Sequence, residues 1–369
     1  MLMVSRAYQN IINFTKTFNN FAGQCPDRLK EITMSRKILM RAVRSALAFV
    51  AILVVAYGPS PSALAQGREL KFAHVYETTH PMNKASVAAA NELARCTGGA
   101  LKATVHPASA LGSERQLNDL IRVGGVDIIL TGQLFAANFY KPLAVGAAPY
   151  IFISREQALA YRTSPLLKEL MAGYNKATGQ HMLSAGYFGA FNVSSNKPIT
   201  KPDDMKGVKI RVPDVALYTM FPRALGANPA PIAFAEVYLA LQQGVVEASV
   251  NPLPVTYAFK YYEVQKYVNL TQHLFEYALL IVGDHVMKDL NASQRTCVQK
   301  AADVYGDQSS REIVDQENNL RVEMTAKKMI QFTDPDKAAF QRATAGVIDD
   351  LIKQGQFSRE LVDRVRAVK

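Results

Sequence analysis

Arg211 and Asn251 are the two side chains whose types and settings point most directly to recognition chemistry. Arg211 falls near the end of Val208-Lys209-Ile210-Arg211-Val212-Pro213. The alternation predicts a short strand in which Val208, Ile210 and Val212 face one way and Lys209 and Arg211 the other. Pro213 ends it, because proline has no N–H to give a ladder. Asn251 stands before Pro252, after the helix-like run Phe234 to Gly244. A guanidinium meets a carboxylate in a planar two-bond fork and stays charged when water is excluded, so an arginine near a strand end suits capture of an organic anion. On the residues alone, however, an arginine alternating with apolar neighbours is most simply a solvated charge on an outer face. Asn-Pro is most simply the start of a turn.

Signatures of catalysis are missing. The chain has no Gly-x-Ser-x-Gly elbow, no His-Glu-x-x-His, no Gly-x-Gly-x-x-Gly after a strand and no phosphate-binding loop. Its six histidines (74, 80, 106, 181, 273 and 285) are scattered, with none at helical spacing from another. His74 in the first strand reads as a hydrogen-bonded core residue, with contact to a ligand pocket as the alternative, and His80-Pro81 reads as loop chemistry. No acidic pair presents itself as acid and base. The expectation is a binding protein rather than an enzyme, with no cofactor and no metal.

Several spaced segments together resemble the solute-binding proteins of TRAP (tripartite ATP-independent periplasmic) transporters, the DctP family. They are Leu70-Lys71-Phe72-Ala73, Ala110-Leu111-Gly112-Ser113-Glu114, Val126-Asp127-Ile128-Ile129, the Lys206-Gly207-Val208-Lys209-Ile210-Arg211-Val212-Pro213 strand, and Glu236-Val237-Tyr238-Leu239-Ala240-Leu241. Each is weak alone; the ordered set covers nearly all of the chain past residue 66. The resemblance implies that Arg211 grips a ligand carboxylate with Asn251 assisting, and that Phe234 packs on the ligand. It also implies polar contacts near Glu114 and Gln133. Tyr76 and Tyr187, at ends of presumed inner strands, are further candidates. Where sialic-acid-type relatives carry a second arginine this chain offers Phe191, and Glu247-Ala248 replaces the frequent Asp-Gly before the asparagine turn. One fixed cation among aromatics suggests a monocarboxylate with an apolar or aromatic body. A C4-dicarboxylate or sugar acid stays open, since Lys209, Gln133 or Asn192 could serve a second polar end. The implied partners are a small carboxylate and the small and large membrane permease subunits, with the chain a monomer that binds no nucleic acid. A receptor presenting its ligand to a sensor is the alternative, and a periplasmic enzyme the rival of a different class.

The elements that must position these residues alternate between strand and helix. Strands are expected at Leu70 to Val75, Ala100 to His106, Val126 to Thr131 and His181 to Tyr187, with helices at Lys84 to Cys96, Glu114 to Val123, 155–162 and 165–176. Such repetition predicts an α/β fold with mostly parallel sheets. A second unit begins near Phe191 and holds the arginine strand, helices around 215–225 and 234–243, and a strand at Val268 to Leu270. Glu276 to Gly283 is apolar enough to be an inner strand returning to the first unit. The resemblance makes this a two-lobed periplasmic binding protein with a double hinge: 66–188 and 277–316 form lobe I, 189–276 and 317–369 lobe II. Asn291 to Gln331 is a long helix, either a strut across both lobes or two helices bent at Gly306, ended by Asp334-Pro335. No internal repeat or low-complexity tract is evident.

The N-terminal region reads as a targeting segment. Ser35 to Arg44 is basic, Ala46 to Tyr57 is apolar but too short to span a membrane comfortably, and Ala63-Leu64-Ala65 is a small-residue cleavage site. We read 34–65 as a signal peptide cut after Ala65, with an uncleaved anchor as the alternative, and 1–33 as a mis-annotated extension. That places the mature chain in the periplasm. Residues 1–65 hold eight Lys and Arg against two Asp and Glu, so +6 of the formal +11 leaves with the leader and +5 remains. A mild positive excess suits anionic ligands, and no basic run with interleaved aromatics suggests nucleic acid. Of three cysteines, Cys25 leaves with the leader; in an oxidising compartment Cys96 and Cys297 either pair or remain as two buried thiols.

Overall fold

Residues 67–369 are described by a computed structural model; the leader, its cut after Ala65 and the 1–33 extension lie outside the described residues. The chain opens with β1 (Arg68–Ala73), β2 (Leu101–His106) and β3 (Ile128–Gly132). These lie parallel in the order β2-β1-β3, because the helices Pro81–Cys96 and Glu114–Arg122 return the chain to the same edge after each strand. The first helix starts at Pro81, three residues earlier than expected. His80 caps it, its Nδ1 accepting the Met82 N–H at 3.2 Å, and proline fits a position whose N–H has no helical partner.

After β4 (His181–Ser195) the same arrangement recurs. β5 (Lys209–Val212), β6 (Asn228–Pro231) and β7 (Ala248–Pro252) are parallel in the order β6-β5-β7. The two units share detailed bonds. The Lys71 N–H donates to Asp127 at 2.8 Å and the Asp127 N–H returns to the Lys71 carbonyl at 3.1 Å. In the second unit the Lys209 N–H donates to Glu247 at 3.4 Å and the Glu247 N–H returns to the Lys209 carbonyl at 2.8 Å. The spacing of Glu114, Asp127 and Thr131 recurs in Phe234, Glu247 and Asn251. This repeat escaped the sequence because the matched positions share geometry, not residue type. The helix expected around 215–225 is instead a tight turn, Ala216–Thr219, followed by the short helix Met220–Ala224 that contains Pro222.

The remaining strands are β8 (Tyr267–Asn269), β9 (Phe275–Val282) and β10 (Gln331–Thr333). Five of the nine strand pairings among the described residues are parallel; all four antiparallel ones involve β4 or β9. β4 pairs with β9 from His181 to Ala190, then with β7 from Phe191 to Ser195. It is therefore one of two strands by which the chain crosses between halves, β9 being the return.

A 35-residue helix, Ala292–Ala326, lies against β4 and the helix Pro81–Cys96. At ~1.5 Å per residue it is about 52 Å long. Gly306 sits inside it without ending it. A Cβ there would stand 2.2 Å from Ser184 Oγ, and one on Gly186 opposite would stand 2.3 Å from Ser309 Oγ. Both glycines let helix and strand approach closely. The helix stops five residues before the expected end, because residues 331–333 pair with β8 as β10. Cys96 and Cys297 form a disulfide with Cα atoms 5.5 Å apart, joining the two helices across 201 residues.

Replacing both cysteines by serine should lower the unfolding free energy by about 2–5 kcal/mol, because the cross-link restricts a long loop of the unfolded chain. Urea denaturation of residues 66–369 measures this. An unchanged midpoint would mean that the cross-link contributes nothing to stability.

Candidate ligand-binding site

The strand that holds Arg211 is central in its unit, flanked by β6 and β7 in register with Ala230 and Ser249. Ile210, Arg211 and Val212 all have no exposed surface. The guanidinium therefore faces protein on the side where alternation suggested water. Its Nε donates to the Ile232 carbonyl at 2.9 Å and its Nη1 to Asn251 Oδ1 at 3.2 Å. Asn251 is oriented in turn by donating to Ser249 Oγ at 2.7 Å. The Phe234 ring lies under the guanidinium carbon at 4.9 Å, a cation–π contact worth about 0.5–2 kcal/mol. These partners are neutral. Among the described residues Arg211 forms no ion pair, and burial depresses its basicity, with Glu114 and Asp214 only as more distant negative groups.

Two buried carboxyls stand in the first unit and its junction. Glu114, at the start of its helix behind the Ser113 cap, accepts from the Gly132 N–H and from Thr131 Oγ1 at 3.1 Å. Asn118 Nδ2 holds Thr131 Oγ1 at 2.8 Å. Burial pushes the Glu114 pKa up to about 7, although Arg211 lies near enough to pull it down. Glu276, on β9, accepts from the Gln133 N–H at 2.8 Å and from the Tyr218 hydroxyl at 3.0 Å. Its pKa is raised to about 8, first by burial and further by the nearby Glu114 charge. The Tyr218 bond ties the second unit to the returning strand.

Aromatic rings close the space between these groups. Phe234 stacks on Phe259 at 5.1 Å and meets the edge of Tyr76 at 6.0 Å. Tyr76 packs on Phe188 at 5.1 Å, and Phe191 stacks on Tyr218 at 6.2 Å. The buried Tyr261 feels the Arg211 charge, and its hydroxyl has no partner among the described residues.

Of the residues singled out from sequence, Arg211, Asn251 and Phe234 are in direct contact, and Tyr76 touches that group through Phe234. Glu114 lies within electrostatic reach of Arg211, and Phe191 joins through Tyr218. The structure does not bring the side chains of Gln133 and Tyr187 to this group. The Gln133 side chain turns into the first unit, donating to the Leu143 carbonyl, so only its backbone N–H serves the cluster. Tyr187 donates to Glu317 at 3.1 Å, and Glu317 lines a separate surface cavity of about 450 Å³ with Arg155 and Lys337. Tyr187 lies in the middle of β4, beside a register irregularity between Tyr187 and Gly189, not at a strand end as expected. None of the three residues considered for a second polar end accompanies Arg211: Lys209 is exposed, Gln133 turns away, and Asn192 bonds the Ala190 carbonyl at 3.0 Å and lines the separate cavity. Glu276 and Tyr218 were missed. A single acid in the apolar run Phe275–Val282 was the available signal for Glu276; nothing in the sequence marked Tyr218. Among the described residues no group of three or more His, Cys, Asp or Glu could hold a metal ion, and no helix is long and apolar enough to cross a membrane.

The raised pKa of Glu276 fixes the sign of a pH effect. The fold favours its neutral form, so its stabilising contribution is complete below about pH 4.5 and is lost as pH rises through about 8. Glu276→Gln keeps a neutral group in place. Its melting temperature should match wild type at pH 5 and exceed it at pH 9. Equal differences at both pH values would show that Glu276 ionises as freely in the folded chain as in the unfolded one.

A curated solute-binding protein of Roseobacter denitrificans is 29% identical over 309 residues, covering 84% of this chain and 94% of that one. A TRAP periplasmic solute-binding protein from the same species, solved with bound L-galactonate, superposes with a TM-score of 0.75 at 28% identity, covering 82% of this chain and 99% of that chain. Another, from Polaromonas sp. JS666 and bound to D-erythronate, gives a TM-score of 0.78 at 25% identity over 82% and 99%. Residues 72–354 match the family model DctP, described as bacterial extracellular solute-binding protein, family 7. The chain therefore belongs to the DctP family, the solute-binding proteins of TRAP transporters.

Proposed function

We propose that this chain captures a small hydroxylated monocarboxylate between its two lobes, with the carboxylate on Arg211 and Asn251. The carrying observation is a buried guanidinium whose internal partners are all neutral. An isolated buried charge is costly, by several kcal/mol even after relaxation, and a ligand carboxylate supplies the missing counter-charge. Glu114 and Glu276 argue for one carboxylate rather than two. A second anionic end near two buried carboxyls would either face repulsion or have to protonate them. They are instead well suited to accept from hydroxyl groups. The relatives solved with D-erythronate and L-galactonate, both hydroxylated monocarboxylates, agree with this class. The apolar-bodied acid suggested by the aromatic neighbours accounts less well for two buried acceptors.

In this scheme the leader directs the chain to the periplasm and is cut after Ala65. Lobe I comprises 66–188 and 277–316, lobe II 189–276 and 317–369, and they close by bending where β4 and β9 cross. The closed monomer then hands its ligand to the small and large permease subunits.

A thermal-shift panel of organic acids on residues 66–369 tests the ligand class. A ligand at a hundred times its dissociation constant stabilises by about 2.7 kcal/mol. Arg211→Ala should weaken the best ligand more than about a hundredfold, since two charged hydrogen bonds contribute ~1.5–3 kcal/mol each. Arg211→Lys, which keeps the charge but loses the fork, should weaken it at least about tenfold. A ligand held equally well by both variants would move the carboxylate site elsewhere.

A further inference from the structure

Two histidines, His74 and His80, are buried near the Arg211 group without contacting it directly. His74 follows β1 at its carboxyl end, and His80 caps the next helix; both have no exposed surface. Each uses Nδ1 as an acceptor, His74 for the Tyr76 N–H and His80 for the Met82 N–H, both at 3.2 Å. A ring nitrogen that accepts carries no proton, so in the neutral imidazole the proton is on Nε2. Burial holds both rings neutral, lowering their pKa values to about 4 and about 3. Both therefore present an Nε2–H donor, and neither Nε2 has a hydrogen-bond partner among the described residues. Asn83 lies near enough to His74 to raise its basicity slightly, without bonding geometry. His80 has no such neighbour and is the clearer case.

Buried donors without partners are rare, and one that persists calls for an explanation. The place of His80 in the fold offers one. Its ring stacks on Tyr76 at 5.2 Å and packs on Phe188 at 5.8 Å. Tyr76 touches Phe234 under the Arg211 guanidinium and lies within electrostatic reach of Glu114 and Glu276. A continuous run of packed aromatic rings thus links a buried cation, two buried carboxyls and an imidazole donor without a partner. A hydroxyl group matches the last two at once, because it donates to a carboxyl oxygen and accepts from an N–H.

We propose that His80 is a specificity-determining residue, its Nε2–H donating to a hydroxyl oxygen of the bound acid so that the site selects hydroxylated acids over deoxy analogues. The inference rests on the carboxylate reading of Arg211. Isothermal titration of wild type, His80→Phe, His80→Asn and Arg211→Lys with D-erythronate, L-galactonate, butyrate and hexanoate separates the two. Wild type should prefer the hydroxylated acid of each pair. Both His80 variants should reduce that preference about tenfold, the value of one lost hydrogen bond of ~1.4 kcal/mol, while butyrate and hexanoate change little. His80→Asn retains a capping oxygen for the helix and guards against a folding failure in His80→Phe. The imidazole resonances of His80 in wild type give a readout that needs no substitution: its Nε2–H should shift and resist solvent exchange when the hydroxylated acid is added. An unchanged resonance, or a preference that survives both His80 variants with only the melting temperature lowered, overturns the proposal and leaves His80 as a helix cap. If none of the four acids binds wild type, or all bind Arg211→Lys equally well, the carboxylate reading fails and the proposal fails with it.

Discussion

The site depends on one buried positive charge that the protein itself does not neutralise. Arg211 is fully buried, and the groups that touch it are a carbonyl, an amide oxygen and a phenyl face. Each partner is held by something further out. β5 lies between β6 and β7, which brings Ile232 and Asn251 to either side; Ser249 orients Asn251; the turn before the helix Val237–Gln242 presents Phe234. Neutral dipoles can orient a guanidinium, but they do not cancel its charge. That uncancelled charge is what supports the proposal of an anion site at Arg211.

The opposite wall is the complement of this arrangement. Glu114 occupies the place in the first unit that Phe234 occupies in the second, at matched distance from the acidic residue that brackets each central strand. The same backbone unit, used twice, thus presents a carboxyl from one side and an aromatic ring beside a cation from the other. Burial brings the Glu114 and Glu276 pKa values into the range of neutral pH. The exclusion of water that raises them also strengthens a guanidinium–carboxylate fork.

An ion pair lies at the surface beside these groups. Arg115, beside Glu114, grips Asp214, three residues past Arg211, with bonds of 2.7–3.1 Å. Both side chains are substantially exposed, at 57% and 34%, and such pairs contribute only about 0–1 kcal/mol. The Cys96–Cys297 link ties the long helix to the helix Pro81–Cys96, and the glycines at 186 and 306 bring the long helix directly onto β4.

Local chemistry in the sequence was enough to determine most elements: alternation marked β5, Pro213 and Gly-rich turns marked ends, and Asn291 opened the long helix with a side-chain cap. The pairing of Arg211 with Asn251 was also legible, through family resemblance rather than through spacing. Tertiary structure decided what these residues face. Whether alternate positions of a strand meet water or protein depends on what covers the sheet, and the cover over Arg211 comes from segments remote in sequence. The same reason explains Gln133 and Tyr187, whose side chains bond Leu143 and Glu317 rather than the Arg211 group, and Tyr218 and Glu276, which meet only because distant segments converge. A residue's type and its local conformation are written in its neighbours along the chain. Its dielectric surroundings, its partners and hence its charge state are set by neighbours in space, which only the folded chain specifies.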